Sequence, residues 1–475
     1  MSIGGLVFMI LLGVILFPFL SAIVSFFLHS EKGSKAWALL SVFIEGFLVF
    51  FSAYLYSQAG YLSVEIPWIQ TLGIHLHFGV RGFELWMMIL SAVVPAMAVV
   101  SSSSKRANPW SYYGLLLGMQ GALMGLFACA NLFLFYIFWE LSILPSFFLL
   151  MGWGGLRKEK TAVTYVVYSL AGSFALLAGL LYVFMSGGQV SVYGQMGVFI
   201  LFFIAVAIKI PLWPFHSWQP DTYEQTDHAT TMMVAGVLSK MGLLGILKVM
   251  LLFAPLGAVF SSDKVIGLAI VSILYGSSLA LVQGHFKRVI AYSSLAHMGL
   301  MAASLFSGTS EGIQGSIFQM GSHALNVVGL IWIGHIIYER TGTLKLAELG
   351  GIRSRSPFLS AVFLVVILGS IGFPLTNGFV GETLMLFGLY SVHPLFAILA
   401  GLSLVLGAWY RMRLFQAVML GKGNSNLPEF NLTWSERIGL GVIMVSIVGM
   451  GIFPQPFLDF VTPSSFKESD SSCTQ

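Results

Sequence analysis

Charge is what this chain has least of. Only 9% of its 475 residues are Asp, Glu, Lys or Arg, against 57% apolar residues, a balance no soluble globular domain shows. A soluble enzyme and a nucleic-acid binder are excluded together, since neither could build its charged surface from so few groups. Cysteine is almost missing. Cys129 lies in an apolar run and Cys473 in the polar tail, so no disulfide framework and no zinc or iron–sulfur site can be built from them. Long polar stretches are missing too: the longest connections are 59–82, 338–356 and 421–435. None holds a GxGxxG, P-loop, zinc or haem spacing, so no nucleotide, metal or electron carrier is expected in this chain. The first residues carry no basic cluster, and the apolar run starting at Ile3 reaches full length. A retained helix is expected there, not a cleaved signal.

What is present is hydrophobicity at membrane length. Apolar runs long enough to cross a bilayer fall at about 3–28, 36–58, 83–104, 111–129, 131–152, 161–186 and 196–218. They continue at about 228–254, 264–283, 289–307, 313–338, 357–388, 392–420 and 435–457. The chain reads as an all-α polytopic membrane protein of about fourteen spans. Loop charge supports the even number. Seventeen basic residues group on one side, among them Lys35, Lys105, Arg106, Arg157, Lys287, Arg340 and Arg411; only Arg81, Lys264 and Lys467 fall on the other. By the positive-inside rule the basic side is cytoplasmic and both termini lie outside. One loop on the basic side dissents. Residues 220–227 carry Asp221, Glu224 and Asp227, which marks that loop as functional or partner-bound.

Ionisable residues inside spans are the candidates for function, because each costs about 2.5–3.5 kcal/mol at bilayer depth on insertion scales. They are Glu140, Lys209, Lys240, His297, His323 and Glu382, with Glu45 and Lys248 also inside spans. Lys248 sits near the outer end of its span, where a lysine snorkels to the interface, and is given no role. Lys209 is followed at once by Pro211 and Pro214, which interrupt its helix. A second interruption, SIGFPLTNGFVG at 370–381, immediately precedes Glu382. Irregular backbone at membrane depth must face protein or a hydrated cavity, and paired broken helices mark inverted-repeat transporters. The two units are expected in spans 4–8 and 9–13. A desolvated lysine holds its proton weakly until a carboxylate approaches, so such a pair can load and unload protons. The plain alternative is an ion pair that locks two helices. His297 and His323, beside Gly299 and Gly321 on consecutive spans, suit a proton relay. His29, His75, His77, His228, His285 and His393 lie at span ends or in loops, where capping or solvation is expected. His335 is expected to be a satisfied interior histidine, and His216 stands open between relay and cap.

Several short motifs carry a resemblance. FWE at 138–140, KIPLWPFHSWQPD at 209–221, SKMG at 239–242, FKRVIAYSSLAHMG at 286–299, YERTGT at 338–343 and GFVGE at 378–382 resemble the antiporter-like, proton-pumping subunits of respiratory complex I, the NADH:quinone oxidoreductase. The likeness runs from about span 3 to span 13. Sister subunits and Mrp-type cation/proton antiporters share much of it; Glu382, where the sisters carry lysine, and the YERT sequence select the NuoM type, equivalent to mitochondrial subunit 4. Some positions depart from the family pattern: VRGF at 80–83 lacks its aspartate, PDTYEQTD at 220–227 replaces PDAH…AP, and His285 stands in place of an aspartate.

The resemblance implies a buried chain in which Glu140 pairs with Lys209, Lys240 bridges, His297 and His323 relay, and Glu382 is the terminal site. It implies a membrane-arm subunit moving protons with redox energy released elsewhere, while NADH, FMN, iron–sulfur clusters and quinone are held by partner subunits and no cofactor by this chain. The implied partners are other complex I membrane subunits, especially the two sister antiporter-like ones, within the lipid bilayer. The implied location is a bacterial inner membrane in preference to an organellar one. The expected divisions are 1–104 (spans 1–3), 105–260 and 261–420 (the two repeats) and 421–475 (span 14 and tail). The competing class is an Mrp-type antiporter subunit using the same charges for ion exchange.

Overall fold

A computed structural model describes residues 3–103, 106–188, 190–421 and 429–461, and these are almost wholly helical. Twelve of the described helices are long and apolar enough to cross a membrane unaided. Two more segments complete the fourteen. Pro109–Ala128 is the fourth span, a 20-residue helix diluted by Ser, Tyr, Gln and Gly; the twelfth is split into Pro357–Ile371 and Asn377–Val392. The turn at Cys129–Asn131 separates the fourth span from the fifth, Leu132–Trp153, whose first amides are capped by the Asn131 side chain at 2.8 Å.

The tenth span, Phe286–Phe306, and the eleventh, Ser310–Thr341, form the centre. In their most apolar stretches 94% of residues are buried, against 22% in the thirteenth, Pro394–Met419, and the fourteenth, Trp434–Ile452. The outer faces of the first two spans expose Phe8, Phe43, Phe47 and Phe50, as suits helices whose solvent is lipid. The ninth span, Pro255–Val282, begins about two and a half turns before its expected start. Ser261, Ser262, Asp263 and Lys264 break its apolar signal, but Asp263 and Lys264 simply point outward from a continuous helix.

The connection expected to be a plain loop at 59–82 is a β-hairpin. Strands Leu62–Ile69 and Ile74–Val80 pair antiparallel with Leu62 opposite Val80. LSVEI and IHLHF alternate apolar and polar residues, the period of a half-buried strand, and Gly73 turns the chain at φ 64°. Ala130 and Asn131 donate to hairpin carbonyls at 2.9 and 2.6 Å, so the hairpin closes over the turn between spans four and five.

Candidate functional site

The seventh span is helical over Val192–Lys209 and resumes at Trp218–Gln225. Between them Pro211 sits at φ 28°, and neighbours take up the freed backbone groups. Trp218 Nε1 donates to the Ile208 carbonyl at 3.0 Å, and Trp213 N donates to Ser272 Oγ of the ninth span at 2.6 Å. The break therefore faces protein, as irregular backbone at this depth requires. Lys209 is 2% exposed. Its ammonium finds no hydrogen-bond partner among the described residues and lies 5.5 and 5.9 Å from the ring centroids of Trp139 and Tyr165. Glu140, half-buried on the fifth span, lies close enough to interact with the Lys209 charge but forms no ion pair with it, and its Oε1 likewise has no partner among the described residues. The two groups are near each other and apart, not locked.

The eighth span, His228–Phe253, is not a uniform α-helix. Two π-helical turns, Val234–Leu238 and Ile246–Met250, flank Lys240–Gly245. Such wide turns are rare and recur at functional sites, since they displace carbonyls from the regular ladder. One of them, Ala235, accepts from Lys240 Nζ at 2.6 Å; Ser239 Oγ stands at 3.3 Å and His323 Nδ1 at 2.9 Å. Three partners suit the three donors of an ammonium, and with Lys240 charged His323 Nδ1 must accept. If the proton crosses, the neutral amine accepts from Nδ1–H instead. One hydrogen bond serves both states.

His323 leads on to His297, whose ring centroid is 5.5 Å away. His297 Nδ1 stands 3.5 Å from Glu382 Oε1, and its Nε2 meets the guanidinium of Arg411. Arginine only donates, so Nε2 must accept and the ring proton sits on Nδ1, facing Glu382. Glu382 is 2% exposed in the second half of the twelfth span. The break at 372–376 is held by the eleventh span: Ser322 Oγ donates to the Asn377 carbonyl at 3.2 Å, and Asn326 Nδ2 to Asn377 Oδ1 at 3.3 Å. Gly372, at φ 74°, lies against the Glu382 carboxylate, where any side chain would collide with it.

Four of the six expected residues, Lys240, His323, His297 and Glu382, thus form one contiguous buried file. Glu140 and Lys209 form a second site on the neighbouring spans. Sequence reasoning missed Arg411, which it counted with the basic loops. Arg411 lies inside the thirteenth span, 4% exposed, and donates to Ser293 Oγ at 2.7 Å as well as to His297. Sixteen basic residues then remain on the basic side. The available signal was the R-M-R spacing: Arg413, two residues on, reaches the Leu281 carbonyl from an exposed position, so Arg411 must turn away from it.

Lys248 does not snorkel. Its ammonium is 3.2 Å from Glu84 and donates to the Phe127 and Cys129 carbonyls at 3.0 and 2.8 Å. Beneath the hairpin these partners outcompete the interface. Lys248→Met leaves Glu84 without its cation and is expected to cost about 1–3 kcal/mol. Thermal unfolding should show this loss, and Lys248→Met with Glu84→Leu should recover most of it. Glu45, fully buried on the second span with neither oxygen partnered among the described residues, joins neither site.

The acidic stretch at 220–227 is not a loop, since Trp218–Gln225 is helical, and it serves its own chain. Glu224 contacts Arg288 and lies 3.2 Å from Arg157, Asp221 lies 2.5 Å from Arg288, and Asp227 lies 3.1 Å from Arg106. Burial lifts the Asp227 carboxyl, but Arg106, His228 and hydrogen bonds from Thr230 and Tyr112 outweigh it and hold it below the usual carboxylate range. Its acidity balances basic neighbours. Among the described residues no group of three or more His, Cys, Asp or Glu is placed to hold a metal ion.

Residues 129–407 match the family described as NADH:quinone oxidoreductase/Mrp antiporter, transmembrane. NADH-quinone oxidoreductase subunit M of Rickettsia felis is 32% identical over 461 residues, covering 92% of this chain and 93% of its own. A chain of respiratory complex I from Thermus thermophilus, solved with bound NADH, superposes with a TM-score of 0.85 at 27% identity, covering 95% of this chain and all of that one. A chain of the Mrp complex from Dietzia shares the fold, with a TM-score of 0.86 at 16% identity over 96% of each chain.

Proposed function

Because this chain belongs to the family of subunit M of NADH-quinone oxidoreductase, we propose that it is a membrane-arm subunit of the proton-translocating enzyme. The observation that carries the reading is the buried file Lys240–His323–His297–Glu382, continuous from the middle of the eighth span to the second break. The redox chemistry belongs to partner subunits holding NADH, FMN, iron–sulfur clusters and quinone. Other membrane subunits, above all two sister antiporter-like ones, flank this chain in a bacterial inner membrane. The excess of basic residues on one side favours a cytoplasmic basic side and outward termini.

The two breaks support the reading of 105–260 and 261–420 as inverted five-helix units. Pairing the spans in order sets the broken seventh, with Lys209, against the broken twelfth, with Glu382. Arg411 then falls on the span that corresponds to that of Lys240. Approach of Glu140 to Lys209 favours the charged lysine and separation favours its neutral form. At 4 Å and an effective dielectric of about 20, two unit charges interact by about 4 kcal/mol, so a shift of a few ångströms moves proton affinity by more than tenfold. The Lys240–His323 bond passes the proton on. When the Arg411 guanidinium withdraws from His297 Nε2, that nitrogen takes the proton from His323 as the Nδ1 proton passes to Glu382; with Arg411 in place the ring keeps its Nδ1–H tautomer and passes nothing on.

Lys209→Ala and Glu140→Gln test the reading. Each should cut pumping and coupled turnover of the assembled enzyme by at least about tenfold. Normal pumping by assembled Lys209→Ala enzyme contradicts the role of the first break. The Mrp-type alternative shares the fold and the charges; co-isolation of flavin and iron–sulfur subunits with this chain decides against it.

A further inference from the structure

His228 was expected to be capping or solvated and His335 to be satisfied in the interior; they are stacked face to face, with centroids 3.3 Å apart and planes 10° from parallel. They line an open cavity of about 750 Å³ on the basic side of the bundle. We propose that this histidine pair is a proton-loading site at the cytoplasmic mouth of the conduit, an inference that rests on the proton-moving function above.

The same two helices carry both sites. Lys240 follows His228 by twelve residues on the eighth span, and His335 follows His323 by twelve on the eleventh. Twelve residues of helix rise about 18 Å, so the two antiparallel helices meet once at the mouth and once at the core contact Lys240–His323. Between the levels lie the buried apolar residues Met232, Gly236, Val328 and Ile331, an apolar layer between the mouth and the core.

The surroundings suit a site that takes one proton at a time. His335 Nε2 faces Glu339, half-exposed at 3.6 Å, which gives the ring an aqueous side. His228 Nε2 faces the Ser101 carbonyl at 3.3 Å. Asp227, beside His228, attracts a proton but is shared with Arg106 at 3.1 Å and Tyr112 Oη at 2.6 Å. Lys287 of the tenth span, bound to the Thr226 carbonyl at 2.5 Å, and Arg106 oppose a second positive charge, while His285 and Lys345 complete the basic lining. Arg340 and Glu436 neutralise each other at 2.8 Å. An imidazolium stacked on a neutral imidazole is tolerated; two stacked imidazolium ions repel. In the step itself an N–H bond forms on one ring nitrogen as a water or buffer acid in the cavity loses its proton. In the reverse step that N–H bond breaks as a water admitted between the two helices accepts the proton and carries it toward Lys240, and no other bond changes.

The test uses the whole enzyme in inside-out vesicles, whose outer medium reaches the cytoplasmic face. His228→Gln and His335→Gln should pump within about twofold of the unaltered enzyme at pH 6 and about tenfold slower at pH 8.5, where protons are scarce. His335→Ala should regain much of the lost rate when imidazole, which fits the cavity, is added at millimolar concentration. An unaltered pH profile overturns the proposal, as does equal slowing at both pH values without rescue. Lys240→Met in parallel keeps the two failures apart. If it is silent while His335→Gln pumps normally, only the histidine pair loses its role; if it pumps normally, the function of the core file fails.

Discussion

Lys240→Met is expected to silence proton translocation while the complex still assembles. Three contacts meet at this ammonium, and the His323 contact is the only one that leads toward Glu382. A thioether neither binds nor releases a proton, so the file ends at the eighth span. Loss of folding would not explain the result. Removing the buried ammonium relieves a desolvation penalty of several kcal/mol, while leaving His323 Nδ1 without its donor costs about 1–3 kcal/mol. The two nearly offset. Pumping and coupled quinone reduction should both fall by about a hundredfold, at the lower end of what a lost proton-transfer group costs. Native-gel abundance of the complex, measured on the same preparation, should stay near normal. Abundance falling in step with activity would make Lys240 a structural residue.

Glu382 carries the second large effect. It lies against Gly372 at the break, 3.5 Å from the only protonated nitrogen of His297, with the Arg411 cation nearby. Glu382→Ala removes the last titrating group and should stop pumping as completely as Lys240→Met does. Glu382→Lys restores a titrating group but sets a cation beside Arg411. Partial pumping is therefore expected, at about a tenth of the normal rate, since about 1.4 kcal/mol of repulsion already costs tenfold. Proton uptake by vesicles driven by NADH reads both variants. Alanine enzyme that pumps as well as lysine enzyme would show that the carboxylate only seals the break.

The spans and both breaks could be read directly from the chain, because a bilayer demands long apolar runs and proline stops a helix whatever surrounds it. The hairpin was legible and overlooked: its strands alternate in LSVEI and IHLHF, but short strands between long spans pass for loops. The six interior ionisable residues stood out one by one for the same energetic reason that makes them rare. Their contacts did not, since Lys240 and His323 are 83 positions apart and His297 and Glu382 still farther. Arg411 was hidden by company. It sits two residues from a loop-facing arginine, and only the tenth span packed against it reveals which way it turns. Lys248 and His228 share that lesson. A titratable group near a span end looks solvated until a neighbouring helix supplies Glu84, or a second ring, in place of water.

The measurement that bears most directly on a continuous proton file is NADH-driven proton uptake by vesicles carrying Glu382→Gln, with quinone reduction followed in the same sample. Glutamine keeps the size and the hydrogen bonding of the carboxyl group and cannot titrate. The expected result is an assembled enzyme whose pumping is reduced at least about tenfold. Pumping at the normal rate by the glutamine enzyme would contradict it, and would leave Glu382 as a cap for the backbone of the second break.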